Sequence, residues 1–180
     1  MSPMFLAGTL GHWLHSPAAG ACILLSVILG GWLTGRLVTH GSGRMQPDAP
    51  LPSSSMTFGQ AVEHTARTLL IVCGTMAVMR AAAALLCDVP QLPPALLLPL
   101  TALLEVTTGA MQIAALPLPL SLRTALLAGV TGFGGAASIL QNRAFYPPGL
   151  LRLPMQIGCQ AVHAVLSFLL GLGMARLLGL

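Results

Sequence analysis

The chain has 180 residues, of which 55% are hydrophobic and 7% charged, with eight Lys and Arg against four Asp and Glu. A soluble domain of this size carries about a quarter charged residues, so no water-facing surface can be built from this composition, and the mean hydropathy of +0.84 points to a membrane protein. The basic residues are all arginines, scattered as Arg36, Arg44, Arg67, Arg80, Arg123, Arg143, Arg152 and Arg176; this excludes a nucleic-acid patch and suits side chains that snorkel to lipid headgroups.

Met4 to His15 is too short to cross a bilayer and holds Trp13 among polar residues, so an interfacial stretch lying along the membrane surface is expected. Ala18 to Val38 is the first run of spanning length, ended by Arg36 and His40. No Lys or Arg precedes it, so it is expected to stay as an anchor rather than be cleaved as a signal. Residues 1–40 therefore form one unit, an interfacial stretch with a first transmembrane helix.

Residues 41–56 have the Pro, Gly and Ser content of a loop, and the flanking arginines place it on the cytoplasmic side. The remainder, 57–180, reads as one membrane domain. It opens on Thr57 and Gln60, a capping box, with Gln60, Glu63, His64 and Arg67 recurring at helical spacing. The helix runs on as a second span to Cys87, where Asp88, Pro90, Pro93 and Pro94 cluster.

Ala95 to Leu116 is apolar but interrupted near its centre by Glu105-Val106-Thr107-Thr108-Gly109, and closes on Pro117 and Pro119. Leu122 to Ala144 repeats the plan around Thr131-Gly132-Phe133-Gly134-Gly135, followed by Ser138, Gln141 and Asn142. Each is expected to form two half-helices, and whether the first crosses or returns as a hairpin is left open. After a Tyr146-Pro147-Pro148-Gly149 turn, Pro154 to Leu178 is a last span with Gln156, Gln160, His163 and Ser167 on one face. The expected fold is all-α: a polytopic helical membrane protein with two discontinuous helices.

An ionisable group at the bilayer centre costs about 3 kcal/mol and so faces a cavity or a partner. Glu105 is such a group, either lining a path or pairing with an arginine or His163. Backbone that leaves the helix at membrane depth needs protein, water or ligand around it, and half-helix N-termini present free N–H groups to anions. The glycines could equally serve close helix packing, and the polar face of the last span could bond between helices.

These residues give a candidate solute site of Thr107, Thr108, Gly109, Gln112, Gly132, Gly134, Gly135, Ser138, Gln141 and Gln160, with Glu105 and His163 in ion coupling or gating. Cys22, Cys73, Cys87 and Cys159 have no ligand spacing and read as structural. No metal, cofactor or catalytic residue is expected, since no nucleophile with a spaced base stands out.

The pair E-V-T-T-G (Glu105 to Gly109) and G-F-G-G-A-A-S-I-L-Q (Gly132 to Gln141) resembles the sporulation integral membrane protein YlbJ family, of the nucleoside-recognition or Gate domain group, over roughly Thr57 to Leu180. The resemblance implies a transporter-like protein in the cytoplasmic (inner) or forespore membrane of an endospore-forming bacterium, associated with movement of dipicolinate, a small aromatic dianion. Family members are usually longer, with two related halves. This chain holds one motif-bearing half, so a homodimer or a second half-size membrane protein is the expected partner, besides the lipid bilayer and the solute. The expected function is thus a half-size transporter subunit moving a small organic anion or similar polar solute by alternating access. The alternative is a non-transporting membrane scaffold in spore or envelope assembly.

Overall fold

The computed structural model describes residues 1–41, 56–89, 92–145 and 152–180, and the regular structure among these is helical throughout. The bulk of the 41–56 loop, Pro90 and the Tyr146–Gly149 turn lie outside the described residues. Pro17–Val38, Phe58–Cys87, Leu120–Phe145 and Leu153–Leu177 are each long and apolar enough to cross a membrane, the mark of an integral membrane protein.

The amino-terminal segment winds as a π-helix over Met4–Thr9 and continues into a short helix α1, Leu10–Trp13. Leu6, Leu10 and Leu14, four apart, are buried at 3%, 0% and 4% exposure. They belong to one core with Ile23, Ala110, Ile113, Leu127 and Ala128. The stretch read from the sequence as surface-lying thus packs its leucine face into the protein core, while Met4, Gly8, His12 and His15 stay exposed. The chain turns at His15 and Ser16, and the Ser16 hydroxyl accepts from the Ala19 amide to start α2, Pro17–Gly41. Gly20 sits against the Ala7 carbonyl and the Gly11 Cα with no room for a Cβ, which lets the two segments cross closely.

Helix α3, Phe58–Cys87, opens with the capping box read from the sequence: the Thr57 amide donates to Gln60 Oε1 at 2.9 Å and the Gln60 amide to Thr57 Oγ1 at 3.4 Å. Little of it is buried; it meets the rest of the chain mainly through α4, Pro94–Leu104, and α7, Gly135–Phe145.

Helix α4 stops at Leu104, Glu105 is extended (φ −139°, ψ 112°), and α5 begins at once as Val106–Ala114. The direction reverses there. Thr101 Oγ1 stands 2.7 Å from Gln112 Oε1, whereas in an unbroken helix two residues so placed would be about 16 Å apart along the axis. The chain folds back on itself at this point, with α5 lying along α4. The second interruption is a bend: α6, Leu120–Phe133, ends at Gly134 with φ 79°, Gly135 follows at φ 74°, and α7 leads off toward α3 and α4. Glycine is the residue that takes this left-handed region without steric cost.

The last helix, α8, Leu153–Leu177, runs antiparallel to α6 and α2. Small residues line the seam: Gly171 lies on Ala125 and Ala128, and Gly30 and Gly132 lie on Ser167. Close backbone approach of this kind is how helices associate in lipid, where no hydrophobic force draws them together.

Candidate functional site

The two backbone breaks meet. A Cβ on Gly135 would lie 3.3 and 3.4 Å from the Leu103 and Leu104 carbonyl oxygens and 3.5 Å from the Val106 nitrogen, so the bend between α6 and α7 rests on the turn of the α4–α5 hairpin. Beside this junction opens a cleft of about 550 Å3, within the roughly 300–1,000 Å3 of small-molecule sites.

Its polar wall comes from several elements. Glu105 and Thr107 come from the hairpin, Thr131, Gly132 and Gly134 from the end of α6, Ser138 and Gln141 from α7, and Gln160 and His163 from α8. Phe5, Val27, Met76, Val106, Phe133 and Ala137 form the apolar part, and Met1 and Ser2 of the amino-terminal segment complete it.

Of the candidate solute residues, Thr107, Gly132, Gly134, Ser138, Gln141 and Gln160 line this cleft, as do Glu105 and His163. The other four take structural contacts. Gly109 is pressed against Ala102, and Gln112 turns to Thr101 inside the hairpin. Gly135 forms the junction itself, and the Thr108 hydroxyl donates to Glu105 Oε2 at 2.8 Å. Gln112 is lost to the cleft because α5 folds back on α4 after the reversal at Glu105, which turns its side chain toward Thr101.

Glu105 is 3% exposed and caps α5. Its Oε1 accepts from the Thr107 amide at 2.8 Å, and its Oε2 accepts from the Thr108 amide at 2.7 Å as well as from the Thr108 hydroxyl. A carboxylate here satisfies N–H groups that a helix start leaves without partners and complements the positive end of the helix dipole. Its partners among the described residues are these groups rather than an arginine or His163.

All four polar residues of the α8 face point inward. Gln156 Nε2 donates to the Ile139 carbonyl at 3.4 Å, and His163 Nε2 lies 2.9 Å from the Val27 carbonyl, which requires the proton on that nitrogen. Gln160 Nε2 donates to Ser138 Oγ at 3.0 Å, while the Ser138 hydroxyl donates to the Gly135 carbonyl at 2.9 Å. Because the single serine proton goes to Gly135, the amide side of Gln160 must face Ser138. Its Oε1 is then buried without a partner among the described residues.

The contribution of Met1, Ser2 and Phe5 is the part sequence reasoning missed. The signal available was the four-residue spacing of Leu6, Leu10 and Leu14, which marks one apolar helical face with a packing partner. Comparison of the chain with family models, with curated proteins and with solved structures gives no match in any of the three.

Proposed function

We propose that the chain is a half-size membrane transporter subunit that binds a small polar solute in the cleft where its two backbone breaks meet. The observation that carries the reading is this meeting of the two breaks. A hairpin turn at Glu105 and a bend at Gly134 and Gly135 adjoin one cleft with hydroxyl, amide, imidazole and carboxylate groups. In a bilayer these are a re-entrant hairpin and a discontinuous helix, and irregular backbone at such depth is tolerated where it borders protein or a wet cavity.

The lining supports a solute rich in hydrogen-bonding groups. Gln160 Oε1 is a buried acceptor without a donor, and a solute N–H or O–H would supply one. Helix α7 presents its first turn through Ala137 and Ser138, and the free N–H groups of a helix start suit an anionic group. For the organic anion implied by the YlbJ-family resemblance, His163 is, among the described residues, the cleft-lining side chain able to carry positive charge. A dianion would therefore need that charge or a co-transported cation to offset Glu105. Ion coupling or gating is the role proposed for Glu105 and His163. The exposed length of α3 leaves room for a second copy or another half-size subunit, and the setting is a bacterial inner or forespore membrane.

The test is a solute screen by thermal stability in detergent, followed by uptake into proteoliposomes. A solute that binds the folded chain raises its melting temperature by mass action. Hits whose uptake is pH-dependent in the native chain and pH-independent in Glu105→Gln support the coupling role. A broad screen without a stabilising solute would sink the transport reading and favour the scaffold.

A further inference from the structure

A second cleft, of about 480 Å3, opens at the far ends of α5 and α6 and shares no lining residue with the first. His12, His15 and Arg123 bring three basic side chains to it, with Trp13, Met111 and Ala114 completing most of the wall. Arg123 stands in the first turn of α6. Its Nη1 donates to the Ala114 carbonyl at 2.8 Å, at the last turn of α5, which fixes the guanidinium in place. Its Nε is buried and has no hydrogen-bond partner among the described residues. A buried guanidinium N–H without an acceptor is an expensive arrangement unless a ligand completes it.

The two imidazoles stand close by, ring centroids 6.3 Å apart and planes tilted by 60°. Both residues are exposed, and neither ring is hydrogen-bonded within the described residues. His15 is held at the α1–α2 turn, where its amide donates to the His12 carbonyl at 3.0 Å and the Ser16 amide to the Gly11 carbonyl at 2.9 Å.

We propose that this cleft binds a phosphate-type oxyanion, held by Arg123 and the imidazoles of His12 and His15 against the wall formed by Trp13 and Met111. The planar guanidinium fork matches two oxygens of such a group, and imidazole N–H groups add donors around it. The cleft sits where two apolar spans begin, α2 at Pro17 and α6 at Leu120. In a bilayer crossed by these spans, their starts would lie at the depth of lipid headgroups, with Trp13 as the aromatic residue found there. The oxyanion is thus either the phosphate of an anionic phospholipid or a phosphate compound from solution. This site stands independently of the transport reading.

The test has two arms on the full chain, each run with Arg123→Gln and His12→Ala. In an uncharged detergent, the melting temperature is titrated with inorganic phosphate against sodium chloride at matched ionic strength. In nanodiscs, retention of phosphatidylglycerol over phosphatidylcholine is read by native mass spectrometry. Stabilisation by phosphate that both variants weaken assigns a soluble phosphate compound. Retained phosphatidylglycerol that both variants lose assigns the headgroup. The expected loss is about tenfold or more in affinity for Arg123→Gln and several-fold for His12→Ala. If Arg123→Gln does not fold, His12→Ala decides alone, since its exposed ring makes no hydrogen bond within the described residues. No binding in either arm, or binding that His12→Ala leaves unchanged, overturns the proposal.

Discussion

Gly109 lies flat on Ala102, so that any Cβ at 109 would collide with the Ala102 backbone and methyl group. This contact closes the hairpin, since it brings α5 back onto α4 one turn away from Glu105. Gly109→Ala is expected to force the two half-helices apart and to destabilise the chain by about 1–3 kcal/mol, the usual cost of overpacking. Gly74→Ala is the control: nothing lies within 4 Å of its added Cβ, and alanine favours helix over glycine by about 0.5–1 kcal/mol. Thermal unfolding in detergent should separate the two variants in opposite directions. Equal melting temperatures would mean that the hairpin is not closed at this point.

The cap on α5 makes a second prediction. Glu105→Gln replaces one acceptor oxygen by a donor facing the donors of Thr107 or Thr108, and should cost about 1–3 kcal/mol. Glu105→Asp keeps both oxygens at an N-cap position, where aspartate is favoured, and should recover most of that loss. The sign of the Gln-to-Asp difference, measured by chemical or thermal unfolding, is the check.

At the bend between α6 and α7, both glycines have positive φ, but their surroundings differ. An alanine at either position carries the left-handed penalty of about 1–2 kcal/mol. At 134 the tightest contact is the Ser138 hydroxyl, which can turn away by giving up its bonds to Gly135 and Gln160, whereas at 135 the nearest atoms are backbone atoms of Leu103, Leu104 and Val106. Gly135→Ala should therefore be the more damaging of the two. It should also disturb the cleft, because it separates the hairpin from the bend.

These contrasts show where the sequence is informative. E-V-T-T-G and G-F-G-G announce their interruptions through local chemistry: a carboxylate that can cap, and glycines that can adopt positive φ. The reversal at Glu105 is not legible, because it depends on Gly109 finding Ala102 and Gln112 finding Thr101, contacts that a bend at the same point would not make. The capping box at Thr57 and the inward face of Gln156, Gln160, His163 and Ser167 are local or periodic and could be read directly. The packing of the amino-terminal segment against the core is not legible from its length and Trp13, because it depends on partners distant in sequence. Burial there comes from α2 and α5 packing over it.

Ser167 tests the seam between α2, α6 and α8. Its side chain is fully buried and its hydroxyl has no partner among the described residues. Ser167→Ala removes an unpaired polar group at nearly constant volume, and is expected to be neutral or to stabilise by up to about 1 kcal/mol. Ser167→Leu must push against Gly30 and Gly132, and should lower stability by about 1–3 kcal/mol. A destabilising alanine variant would show that the hydroxyl has a partner after all.

Gln160 separates solute binding from folding. Its Nε2 holds Ser138 at 3.0 Å, while its Oε1 is buried without a partner. Gln160→Met keeps the length of the side chain, removes the unpaired acceptor and gives up one neutral hydrogen bond. These two effects on stability oppose each other at about 1 kcal/mol each, so the melting temperature without solute should stay near that of the native chain. A solute that donates to Oε1 loses that bond in the variant, and a loss of about 1.4 kcal/mol is a tenfold weaker dissociation constant. The measurement is the solute concentration giving half-maximal stabilisation in the two proteins. If it is the same in both while other cleft substitutions shift it, the solute does not reach α8, and the site lies on the hairpin and α7 alone.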